Sequence, residues 1–123
     1  MSLKNVGVVV MGTDSNAILT GIERAEELGI PAAWVPEGIG LDPLTLFAGA
    51  AGRTRRILLG SAIITTFARH PVSLVRQAQV IDHLAPGRLR LGVGPGHRDS
   101  QQSTYGADFH SPLGHLGEYL HIL

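Results

Sequence analysis

The residues able to do chemistry gather where apolar runs stop. RLRLGVGPGHR (Arg88–Arg98) alternates Leu89, Leu91 and Val93 with Arg90 and Gly92, then passes through Gly94 and Gly96 into a polar tip, His97-Arg98. Glycines at 92, 94 and 96 either leave no side chain between a flat ligand and the backbone, or serve a tight turn. Glu37, in Pro36-Glu37-Gly38 after a second apolar run, is either a candidate acid/base or a solvated strand-end carboxylate. Thr65 and Thr66 end a third run, and His70 precedes a helix-starting proline, where it caps or packs.

Other constellations fail on spacing. A dinucleotide fingerprint at Gly92 and Gly94 would need a third glycine at 97, which is histidine. His110, His115 and His121 are five and six residues apart, not the i, i+4 spacing that sets two zinc ligands on one helix face, so no metal site is expected. Asp82-His83 reads as a local hydrogen-bonding feature, and Arg53, Arg55 and Arg56 as a solvated complement to a helix C-terminus. No serine nucleophile elbow occurs.

Composition narrows the classes further. A formal net charge of zero argues against a nucleic-acid partner, whose surface should be basic. No apolar run approaches the roughly 18 residues that span a bilayer, so no membrane partner is expected. Without cysteine there is no disulfide, thiolate catalysis or Cys-ligated metal. Met1–Asn5 leads directly into an apolar run without signal-peptide architecture, and a cytoplasmic protein is the simplest expectation.

The elements that must hold these residues alternate. Val6–Met11 is a continuous apolar run and predicts a strand buried on both faces. Asn16–Leu28 carries Ile18, Leu19, Ile22 and Ala25 at helical spacing and stops at Gly29. Ala32–Val35 is a second strand, and Asp42-Pro43 caps and starts a second helix. Ile57–Ile64 is a third strand; His70-Pro71 opens a third helix with Val72, Leu74, Val75, Ala78 and Ile81 inward. The fourth strand follows Ala85-Pro86-Gly87, and Ser111-Pro112 opens a last helix with Leu113, Leu116, Leu120 and Leu123 on one stripe. Strand centres near Val8, Trp34, Gly60 and Leu91 give four βα units with a parallel sheet.

Four such units make either an open doubly wound sheet or half of a (β/α)8 barrel, which typically takes about 250 residues. The last helix lacks a capping glycine or basic final turn and so reads as cut short, which favours the half-barrel. WVPEG (Trp34–Gly38), LGSAIITTFARHP (Leu59–Pro71), IDHLAPGRLRLGVGPGHR (Ile81–Arg98) and YGADFHSPLGHLGEYL (Tyr105–Leu120) together resemble the luciferase-like family of flavin or deazaflavin (coenzyme F-420) oxidoreductases. The resemblance covers nearly the whole chain and implies one partial domain over residues 1–123, the N-terminal half of a (β/α)8 barrel.

It also implies site roles. The strand end at Gly94 and Gly96 would flank the cofactor ring, with a bulge and non-prolyl cis peptide at Ala62-Ile63 behind it and Thr65 and Thr66 toward the ring edge or substrate. Some relatives carry an acid at the position of His97 to protonate or orient substrate; the histidine is the candidate here, which counts against a dehydrogenase that needs the acid. Relatives that oxidise sugar phosphates have a histidine after the second strand, where this chain reads Pro36-Glu37-Gly38. GVGPG with RHP resembles the F-420 branch more than the FMN branch, so the expected activity is deazaflavin hydride transfer, or FMN monooxygenation, on a small organic substrate. Phosphate grips in such barrels commonly follow strands seven and eight, so four units alone are expected to bind cofactor poorly. They are also expected to pair, with a second copy in a homodimer or with the missing C-terminal half. A non-catalytic remnant and a small-molecule-binding domain are the alternatives.

Overall fold

The computed structural model describes residues 5–38 and 40–123. Three of its helices begin as their caps dictate. Asp14 accepts from the Ala17 N–H ahead of α1 (Ser15–Glu27), Asp42 from Thr45 ahead of α2 (Pro43–Ala51), and His70 Nδ1 from Val72 ahead of α3 (Pro71–Leu84). Each contact satisfies an N–H that the first helical turn leaves unpaired.

Strands β1 (Gly7–Val9), β2 (Ala32–Val35), β3 (Leu58–Ser61) and β5 (Leu89–Arg90) form a parallel sheet in that order. The pair β4 (Ile64–Thr65) and β6 (Val93–Gly94) carries the third and fourth strands onward, also parallel. With β3–β4 and β5–β6 each taken as one interrupted strand, every strand lies beside the one before it. A doubly wound sheet reverses its order at a switch point; this one does not, and its winding is that of four consecutive units of a (β/α)8 barrel.

The core sits between the sheet and its helices, where Phe47, Ile22, Leu59, Leu44, Leu74 and Ile81 are buried. Trp34 lies over Gly60, where any Cβ would collide with the indole. Arg88 is also buried: its guanidinium donates to the Ala51 and Thr54 carbonyls and the Thr54 hydroxyl, supplying donors at the C-terminal end of α2.

Four expectations are corrected. Val6–Met11 is not buried on both faces: β1 is an edge strand with one neighbour, and Val9 and Met11 are 58% and 70% exposed. The run Ile57–Ile64 is not one strand, as its apolar pattern suggested, but β3 and β4 separated at Ala62-Ile63, whose peptide bond is cis as the resemblance implied. On α3 only Leu74 and Ile81 are buried, because the helix meets its neighbours on a narrow stripe and leaves Val72 exposed. The leucine stripe of the last helix, α5 (Pro112–Ile122), largely faces outward, with Leu113, Leu120 and Leu123 exposed. Its packed face is His115 and Tyr119 instead. His115 stacks on Phe67 at 3.8 Å between centroids and hydrogen-bonds Thr66 Oγ1, and the Tyr119 hydroxyl donates to the Arg69 carbonyl at 2.7 Å. Burial pushes the Tyr119 phenol up, which keeps that donor protonated.

One loop contact has a pH signature. Glu26 accepts the backbone N–H groups of Arg55, Arg56 and Ile57, fixing the chain as it enters β3. Burial acts against its charge, but these three donors hold the carboxyl below its ordinary value. That stabilisation is complete above the ordinary pKa of 4.5 and is lost as pH falls through the lowered folded value. Glu26→Gln is expected to cost about 1 kcal/mol at pH 7, a modest figure because the site is solvent-screened. The cost should shrink as pH falls below 4.5 and be smaller at pH 3 than at pH 7. Urea unfolding at both pH values checks this, and an equal penalty at each would refute it.

Among the described residues, no helix is long and apolar enough to cross a membrane.

Candidate functional site

At the C-terminal ends of the strands lies a cavity of about 500 Å³, within the size range of small-molecule sites. Pro36, after β2, Ala62 and Ile63 at the strand break, and Thr65 on β4 form one set of linings. Gly96 and His97 line it after β6.

The remaining polar wall comes from an element that sequence reasoning missed, α4 (Arg98–Tyr105). His97 is its N-cap residue, without a side-chain capping bond, and Gly106 ends it in the left-handed conformation at φ 62°. Ser100, Gln101 and Thr104 follow His97 at three, four and seven residues, so one helical face turns to the cavity. The signal was that spacing. It went unread because only Gln101 of the helix is buried and no apolar stripe marks it.

Glu37 is not the exposed carboxylate that the sequence allowed. It is 7% exposed and does not line the cavity. One oxygen accepts the Thr65 N–H at 2.6 Å and the Thr65 hydroxyl at 2.7 Å, and the other accepts Arg69 at 2.8 Å. With both oxygens engaged, Glu37 anchors β4 and is not free to shuttle protons.

Arg69 is the second residue missed. The same guanidinium nitrogen reaches Asp42 at 2.7 Å, and the other donates to Gln77 at 2.8 Å. Burial alone would lower the Arg69 pKa, but the hydrogen bond and charge of Asp42, then of Glu37, lift it above its ordinary value. Burial likewise opposes the Asp42 charge, yet bonds from Thr45 and Arg69 hold its carboxyl down. The triad ties the segment after β2 to the segment after β4, fixing two sides of the cavity. Its members stand 27 and 32 residues apart, so no local pattern announces them.

The glycine run divides. A Cβ on Gly92 would collide with the Ser61 carbonyl oxygen, and one on Gly94 with Ile63. Gly94, expected beside the cofactor ring, is buried and absent from the lining, and its missing side chain makes room for that of Ile63. Gly96 does line the cavity, at φ +74°, and a Cβ there would sit 2.8 Å from Gln101 Nε2. Thr65 lines it too, with its hydroxyl committed to Glu37. Thr66 is turned away, buried and bonded to His115, so it faces neither ring edge nor substrate. Of the predicted site residues, Ala62, Ile63, Thr65, Gly96 and His97 line the cavity together; Gly94 and Thr66 do not, and Glu37 lies behind the lining, bonded to Thr65.

None of the described lining residues is Lys, Arg, Asp or Glu. That described lining is apolar at Ala62 and Ile63 and polar along α4.

The chain is similar to known proteins. A putative coenzyme F-420-dependent oxidoreductase of Mycobacterium tuberculosis is 32% identical over 102 residues, covering 83% of this chain and 29% of the relative. Limonene 1,2-monooxygenase of Rhodococcus erythropolis is 31% identical over 93 residues, 71% of this chain and 24% of the relative. This chain thus spans less than a third of the length of these relatives. Among solved structures, the coenzyme F-420-dependent tetrahydromethanopterin reductase of Methanopyrus kandleri superposes with a TM-score of 0.80 at 23% identity, over 93% of this chain and 37% of that one. An FMN-bound type II Baeyer-Villiger monooxygenase of Pseudomonas putida gives 0.82 at 20% identity, over 95% and 37%. These two likenesses establish the fold as part of a barrel of that type. The luciferase-like monooxygenase family model matches residues 6–123, and with the strand order and site geometry above the chain belongs to that family.

Proposed function

We propose that the chain forms the first four βα units of an oxidoreductase using coenzyme F-420, with FMN as the alternative, on a small organic substrate. The observation that carries this reading is the cavity at the strand ends, with its uncharged lining and its apolar Ala62-Ile63 side. In this reading the ring rests against Ala62 and Ile63, where the peptide bond is cis as the resemblance implied. When bound, the cofactor supplies hydride transfer or oxygen activation. The protein's residues exclude water and orient the ring, while His97 at the rim is the group placed to hold or pass a proton to substrate.

The match to the F-420-dependent relative supports the cofactor preference. Exposed Val9 on the edge strand and Met11 just beyond it support a cover supplied by a second copy or by further βα units, which together would make the complete domain. A cytoplasmic location completes the proposal.

Titration with coenzyme F-420 and with FMN, followed by ring fluorescence, tests it. A weak but saturable change is expected, at lower concentration for F-420 because its ring is the one preferred. A stronger response to FMN would transfer the proposal to FMN. No saturable response to either would overturn it in favour of a non-catalytic remnant.

A further inference from the structure

We infer that Gln101 reads the imide edge of the ring, an inference that rests on the cofactor reading above. Gln101 is 4% exposed, lies one turn into α4 and lines the cavity. Its Oε1 is buried with no hydrogen-bond partner among the described residues. An unpaired buried amide oxygen is costly unless something arrives to satisfy it.

Two of the hydroxyls that line the cavity are already committed. Thr65 Oγ1 donates to Glu37, and Ser100 Oγ donates to the His97 carbonyl at 3.1 Å. The Nε2 end of the amide lies against Gly96, where glycine leaves it room at the cavity wall. Rotation about the last side-chain torsion exchanges the amide oxygen and nitrogen, so either can turn to the cavity.

A primary amide presents an acceptor and a donor side by side in one plane. An imide edge, C=O beside N–H, presents the complementary pair in one plane. Flavin and deazaflavin rings both carry that edge, so the inference does not depend on which cofactor is used. An uncharged reader also suits a cavity whose described lining holds no charged side chain.

Lumiflavin and 3-methyllumiflavin test this, because they share the ring and lack a phosphate tail, and only the first has the imide N–H. Binding is followed by flavin fluorescence. With the wild-type chain, methylation should weaken binding about tenfold, the scale of one neutral hydrogen-bonded pair. Gln101→Leu, checked for folding by circular dichroism, should weaken lumiflavin by a similar factor and abolish the difference between the probes. Equal affinity for the two probes in the wild-type chain overturns the inference alone and leaves the cofactor reading standing. So does a Gln101→Leu chain that keeps the discrimination. Absence of lumiflavin binding overturns the inference, and only a further absence of response to coenzyme F-420 and FMN overturns the cofactor reading with it.

Discussion

Arg69→Leu is expected to cost about 3–5 kcal/mol, the range for removing one partner of a buried ion pair. The side chains of Arg69 and Glu37 are only 13% and 8% exposed, so the glutamate left behind would hold a desolvated charge. Asp42, at 30%, has water to fall back on and contributes less. Set against an ordinary domain stability of about 5–15 kcal/mol, the loss is a large share. Urea unfolding measures it. A loss below about 1 kcal/mol, the range for an exposed pair, would mean that Glu37 is solvated after all. Arg69→Leu with Glu37→Gln should recover part of the loss, since removing both partners leaves no orphaned charge, and the double-mutant cycle gives the coupling. The variant should also loosen the cavity, because Arg69 joins two of the segments around it.

Gly92→Ala is expected to cost about 3 kcal/mol, at the upper end of overpacking. The Cβ would meet the Ser61 carbonyl, which is backbone and cannot rotate away. Ser61 Oγ also bonds both the N–H and the carbonyl of Gly92, each at 2.9 Å, so the strands cannot separate without losing those bonds. Relief must come at the strand break, moving Ala62 and Ile63 and with them the surface on which the ring is proposed to lie. Gly52→Ala is the control. It has open space around it and an ordinary right-handed backbone, and it should change stability by less than about 0.5 kcal/mol. Denaturant unfolding of the two variants decides the matter; equal effects would contradict the packing argument.

These two variants act on the same device from opposite sides. Glu37 and Arg69 clamp β4 to the segment after β2, while Gly92 lets the fourth strand press against the third just where it breaks. The cavity is what remains between them. In the proposed function its chemistry would fall to the residues not consumed in this construction, chiefly His97 and Gln101.

Much of this was legible without coordinates, and for a common reason. Caps such as Asp42-Pro43 and His70-Pro71 act within three residues, and the alternation of apolar runs with helical periodicity is equally local. These features determined four βα units, their boundaries to within a few residues, and the gathering of polar residues at the strand ends. The half-barrel winding and the Ala62-Ile63 break were implied by the family resemblance and not by any local rule.

Tertiary structure decided the rest, because it turns on which distant atoms meet. Gly94 looked like a bare platform until Ile63 was seen to fill the space above it, and Glu37 looked free until Arg69 and Thr65 took both its oxygens. The α5 leucines had the right period but the wrong face, since Phe67 and the Arg69 carbonyl offered His115 and Tyr119 better partners. Helix α4 carries a polar face that a hydrophobic period cannot reveal, and on it Gln101 keeps a buried oxygen unpaired. Periodicity is a property of neighbours in the chain; whether a polar atom is spent or available depends on neighbours in space.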